Sequence, residues 1–140
     1  MSKGYEYLEH TADVYIKAVG NTLEEAFENA GRATTDIMTD IEKVESKKSI
    51  EIRVEAENLE ELLYLWLEEI IFRFDTEAFL FSEFEVKEIA NSGTLLKGEG
   101  RGEEFNPDKH PQRLGIKAAT YHMMDIKKDK EVILKFVLDV

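Results

Sequence analysis

Two carboxylates stand close to opposite ends of the chain. Asp13 interrupts the run EYLEHTADVY at residues 6–15, and Asp139 comes one position before Val140, the last of 140 residues. In an extended strand alternate side chains share a face, so Ala12, Val14, Ile16 and Ala18 leave Asp13 with Tyr15, Lys17 and Val19 on the more polar side. By the same count Val132, Leu134, Phe136 and Leu138 leave Asp139 with Ile133, Lys135 and Val137. If these two strands are neighbours, Asp13, Asp139 and the terminal carboxylate of Val140 converge. Three carboxylates brought together repel and raise one another's pKa unless a cation lies among them. A hard divalent ion such as Ca²⁺ or Mg²⁺ takes such oxygen ligands, with waters completing the shell. The residues alone leave a plainer reading open, in which Asp139 is a frayed terminal residue and Asp13 a turn former.

Other chemistries have less to build on. Without cysteine there is no thiolate nucleophile, thiolate metal site or disulfide. His10, His110 and His122 show no zinc-helix spacing, and no Gly-x-Ser-x-Gly elbow is present. The run Gly98-Glu99-Gly100-Arg101-Gly102 resembles a phosphate loop only superficially, because no Gly-Lys-Ser/Thr ending follows and its glutamates repel phosphate. It reads as a flexible strand end. Alternation through GIKAATYHMMDIK places His122 on a mostly apolar face with Ile116, Ala118, Thr120, Met124 and Ile126, as a core or edge residue. Lys117 falls on the opposite face, where it is either a partner contact or a solvated lysine.

The elements that must position these groups are readable. Thr22-Leu23-Glu24-Glu25 is a capping box, followed by an apolar stripe from Leu23 through Phe27, Ala30, Ala33 and Ile37 to Ile41, which predicts a helix of about five turns. Asn58-Leu59-Glu60-Glu61 repeats the signal before a heavier stripe from Leu59 to Phe74, read as core. Period-two segments predict strands near 4–9, 12–19, 49–56, 79–89, 94–101, 115–127 and 131–139. Asn91-Ser92-Gly93 reads as a hairpin loop and Lys127–Lys130 as a charged turn. Residues 98–115, with four glycines and both prolines, form the one long irregular segment. The expected class is α+β: a single domain over residues 1–140, a two-layer sandwich with two main helices on one face of a mostly antiparallel or mixed sheet.

A net charge of −12 disfavours contact with phosphate backbones, so no stable nucleic-acid binding is expected. A basic protein partner or a hard cation suits that surface better. No run reads as a membrane span or signal peptide, and a cytoplasmic location is expected.

Several stretches in order resemble the archease family: His10-Thr11-Ala12-Asp13-Val14, GNTLEEAF at 20–27, Met38-Thr39-Asp40, the LLYLWLEEI helix, Gly102-Glu103-Glu104 followed by Lys109-His110-Pro111, and IKAATYH with a terminal Leu-Asp-Val. The resemblance implies a small α+β activator of the RtcB-type tRNA-splicing ligase, a protein that promotes ligase guanylylation and turnover and broadens its nucleotide use. It also implies metal ligation by Asp13, Asp139 and Val140, with Ca²⁺ foremost and Mg²⁺ or Mn²⁺ as alternatives. Lys117, Lys109 and His110 are then expected to contact the partner. Two further readings are a metal-dependent hydrolase using the same carboxylates and a chaperone-like interaction protein.

Overall fold

The computed structural model describes residues 4–8 and 13–140. Among these residues eight strands and two long helices follow one another as β1 (Tyr5–Leu8), β2 (Val14–Gly20), α1 (Leu23–Met38), a short 3-10 turn (Ile41–Lys43), β3 (Lys48–Glu55), α2 (Leu59–Glu77), β4 (Phe79–Ala90), β5 (Leu95–Glu104), β6 (Ala118–Ala119), β7 (Asp125–Lys128) and β8 (Val132–Asp139). The class is α+β. Its strands divide between two sheets: one runs β1-β2-β8-β6 with β7 also on β8, the other β3-β5-β4, and every pairing is antiparallel.

Both helices begin where the caps place them. The Glu25 amide donates to Thr22 Oγ1 at 3.1 Å while the Glu25 carboxylate accepts from the Asn21 amide at 2.6 Å. Asn58 and Glu61 repeat the exchange, with the Glu57 amide closing it. Helix α1 stops at Met38, short of the expected end, because Thr39 is extended and the Asp40 side chain caps the separate turn that holds Ile41. A single apolar cluster joins both sheets through the helices: α1 lies against β2 and β8 of one sheet and β4 of the other, and the buried Trp66 of α2 donates its indole N–H to the Phe27 carbonyl at 2.9 Å.

Two expectations need correction. The strand expected at 115–127 is broken. Ala118 and Ala119 pair with Asp139 and Leu138, and the ladder resumes only at Asp125 opposite Lys135, so residues 120–124 bulge out against Phe136 and Val137. Met123 has φ 57°, the left-handed conformation that turns the chain there. Tyr121 leaves the sheet to stack on Tyr64 of α2, ring centroids 4.4 Å apart, and His122 is exposed rather than facing the core.

The Gly98–Gly102 run is not a flexible end either. It lies in the centre of β5, which continues to Glu104, and it is flanked by β3 and β4. A Cβ at Gly100 would collide with the buried Phe81 ring, and one at Gly102 with the Leu80 carbonyl, so these glycines are needed for close approach. The two views predict opposite signs for Gly100→Ala. In a flexible segment the change stabilises by about 0.4–1 kcal/mol, whereas overpacking against Phe81 costs about 1–3 kcal/mol. A lower urea midpoint with unchanged slope is the expected result, and a raised midpoint would refute the packing account.

Candidate functional site

The ends of the described chain meet in one sheet. Strands β2 and β8 pair from Val14 opposite Leu138 to Gly20 opposite Val132. One further step in that register sets Asp13 across from Asp139. Both residues, and Val140 beyond them, are half-buried. Like charges directly opposite each other across two strands are destabilising unless a cation lies between them. The donors are all hard oxygens, the type that Ca²⁺, Mg²⁺ or Mn²⁺ accepts. Among the described residues no group of three His, Asp or Glu side chains gathers as a metal cluster. The expected set contains only two such side chains, its third member being a backbone carboxylate. The His10–Ala12 part of the motif lies outside the described residues.

Lys117 is exposed and its amide donates to the Asp139 carbonyl at 2.7 Å, so it enters the neighbourhood of Asp139 through the backbone. It ends the irregular segment from Phe105 to Lys117, which is fixed at several points. The amides of Arg113 and Leu114 donate to the carbonyls of Met38 and Ile37, and Arg113 Nη1 donates to the Asp36 carbonyl at 3.0 Å and to Asp36 Oδ1 at 3.3 Å. These are carbonyls that the end of α1 cannot satisfy within the helix. The last turn of α1 carries no basic residue, and Arg113 supplies from 77 positions away the positive charge that the dipole favours there.

The same segment is anchored by a buried polar cluster. His110 is 1% exposed and Glu103 7%. His110 Nδ1 accepts the Asn106 amide at 2.9 Å, which leaves the ring proton on Nε2, donated to Glu103 Oε2 at 2.9 Å. Glu103 also accepts the Glu45 amide at 2.8 Å and pairs with Lys109 at 2.7 Å and Lys47 at 3.4 Å, while Lys109 bridges to Glu45 as well. Burial alone would raise the Glu103 pKa. These donors outweigh it and hold the carboxyl down at about 2.

His110 therefore has no surface to offer a partner, and both its nitrogens are committed. Its contacts anchor the segment that leads to Lys117. Lys109 is bound to two carboxylates, though part of its side chain remains exposed. Glu103, Asp36 and Arg113 escaped sequence reasoning as structural partners. Charge type hinted at each, but Asp36 meets Arg113 across 77 positions and Glu103 meets Glu45 across 58, separations that leave no local periodicity to read.

A α+β protein with helices shared between two antiparallel sheets, and with its first long strand paired to its last, is the class this geometry defines. Residues 5–140 match the archease protein family, and the chain belongs to it. It is 45% identical to the protein archease of Sulfurisphaera tokodaii over 97% of this chain and 98% of that one, and 44% identical to that of Pyrococcus furiosus over 89% and 88%. The solution structure of Methanobacterium thermoautotrophicum protein 1598 superposes with a TM-score of 0.85 at 40% identity, covering 99% of this chain and 100% of that one. A crystal structure from Thermotoga maritima, described as an archease and possible chaperone, shares the fold at TM-score 0.63 and 22% identity over 95% and 94% of the two chains. Among the described residues no helix is long and apolar enough to cross a membrane.

The Glu103 cluster fixes the sign of an acid effect. Its folded pKa of about 2 lies below the ordinary value of 4.5, so between these values the unfolded chain binds the proton more readily. The stability Glu103 contributes is complete above about pH 4.5 and is lost as pH falls through about 2. Glu103→Gln is expected to cost about 2 kcal/mol near neutral pH, as for a charge-assisted hydrogen bond. Denaturant melts from pH 7 to pH 2 should show the difference shrinking with acidity. A gap independent of pH would remove the carboxylate charge from the account.

Proposed function

We propose that this protein is an accessory activator of an RtcB-type RNA ligase, acting through the carboxylate end of the β2–β8 pair. The observation that carries the reading is the register that brings Asp13 opposite Asp139 at the place where Lys117 joins the sheet. Asp13, Asp139 and the Val140 carboxylate would hold a divalent cation, which would supply fixed positive charge between them. Lys117 stands beside them as an exposed cation able to meet a phosphate or carboxylate on the partner. Lys109 has a weaker claim to contact, since its ammonium is already shared between Glu45 and Glu103.

Net charge supports a protein partner. A ligase that holds RNA must present basic grooves, and a chain of charge −12 docks there by electrostatic complementarity without competing for RNA itself. On this reading the protein promotes guanylylation and multiple turnover, broadens the accepted nucleotide and works in the cytoplasm with the ligase. The chaperone-like reading draws on the description of the Thermotoga maritima relative. Pull-down separates the two, with one dominant ligase partner expected for activation and a broad client set for chaperoning.

Two measurements test the site. Ca²⁺ or Mn²⁺ should raise the melting temperature of the unaltered protein in a saturable, single-site manner, because an ion that binds only the folded chain stabilises it. Asp13→Asn should abolish that rise while remaining folded. In parallel, Asp13→Ala and deletion of residues 139–140 should remove stimulation of ligase guanylylation. Full stimulation by both folded variants would take these carboxylates out of the mechanism.

A further inference from the structure

The two outer strands of the second sheet differ in how their edges are closed. On β4 the Val86 and Ile89 amides donate to the Glu28 and Glu24 carboxylates of α1, at 2.8 and 3.3 Å, and the register shifts between Phe81 and Glu83 and again between Val86 and Glu88. That strand is covered by the helix and bent by its bulges. β3 instead pairs with β5 without a break from Lys48 to Glu55, and among the described residues no strand lies on its other side.

One hydrogen bond beyond the ladder fixes which way its backbone groups point. The Ala56 amide donates to the Thr94 carbonyl, so in the same register Lys48, Ile50, Ile52 and Val54 exchange hydrogen bonds with β5. Ser49, Glu51, Arg53 and Glu55 then turn their N–H and C=O groups outward. All four residues are exposed, and among the described residues none of those backbone groups is bonded. Such an edge is a template for another strand, which charged side chains ordinarily discourage.

Here the charges specify the partner instead. Within the sheet Glu51 stands directly opposite Glu99 and Arg53 directly opposite Lys97, like-charge pairs that destabilise. Glu99 is engaged by Ser49 and Arg101, and Arg53 reaches the exposed Glu55 at 2.9 Å, while Glu51 forms no ion pair among the described residues. Laid antiparallel on itself about Ile52, the run SIEIRVE at 49–55 is self-complementary: Glu51 meets Arg53, Ile50 meets Val54 and Ser49 meets Glu55. A shift by two residues keeps the outward groups paired but sets Arg53 on Arg53 or Glu51 on Glu51.

We propose that β3 pairs antiparallel with β3 of a second copy of this chain, about a two-fold axis at Ile52, joining two sheets into one. The pairing supplies each Glu51 with an Arg53 and takes up the outward backbone groups of both strands. Ile52 and Val54 are already buried in each copy, so little apolar area is gained. Backbone hydrogen bonds of modest net worth then give a weak dimer, with a dissociation constant of about 100 µM. β3 lies outside the sheet that holds β2 and β8, and the proposal is independent of the activator reading.

Sedimentation equilibrium of the full chain from about 10 µM to about 1 mM tests it. At about 0.15 M salt the repulsion between two chains of charge −12 is screened beyond about 8 Å. A monomer–dimer equilibrium is expected. Glu51→Arg and Arg53→Glu each set like charges face to face across the new pairing and should weaken association about tenfold. Each also replaces a like-charge pair within the sheet by an opposite one, so both variants are expected to fold, and Arg53→Glu alone carries the test should Glu51→Arg fail to do so. An equimolar mixture of the two should recover the association, because every arginine of one then faces a glutamate of the other. A chain that stays monomeric throughout, a dimer unmoved by the folded variants, or a mixture no tighter than its components overturns the proposal.

Discussion

The pairing of β2 with β8 is the constraint on which the rest of this structure depends. Its register is set by Ile16 opposite Phe136 and Ala18 opposite Leu134, four side chains with no exposed surface. A slip of one residue would turn that whole set away from the core, at a cost the chain cannot meet. Asp13 is thus held across from Asp139 by apolar burial several residues away. Two carboxylates that faced each other across neighbouring strands would be disfavoured without a cation between them.

A second set of contacts extends the same logic to the irregular segment. Residues 105–117 have no ladder of their own, yet they are held by the neutral His110 ring against Glu103, by Arg113 and Leu114 against the end of α1, and by Lys117 against Asp139. Ordering a loop costs roughly 1–2 kcal/mol of backbone entropy per residue. Satisfying the exposed carbonyls of α1 and the desolvated Glu103 offsets part of it. The loop consequently ties the end of α1 to β8, with Lys117 beside Asp139 at its far end.

The glycine row in β5 and the bulge at 120–124 show where pattern reading loses its grip. Alternating Gly98, Gly100 and Gly102 look mobile in isolation, because glycine is the most permissive residue. Only the buried Phe81 ring and the Leu80 carbonyl of β4 turn that permissiveness into a packing requirement. Likewise GIKAATYHMMDIK alternates well enough for one strand, and nothing local marks Met123 as left-handed. The stack of Tyr121 on Tyr64 belongs to a helix some 57 positions earlier.

What the sequence determined by itself were features that short-range physics dictates: two capped helices with their apolar stripes, the hairpin at Asn91–Gly93, the parity that kept Asp13 and Asp139 off the core faces, and the α+β class. Tertiary structure decided which strands became neighbours, that they formed two sheets, that His110 went inside, and that Arg113 capped a distant helix. These outcomes turn on contacts between residues tens of positions apart. Their energies arise only once burial removes water from both partners, and no local pattern of residues records that in advance.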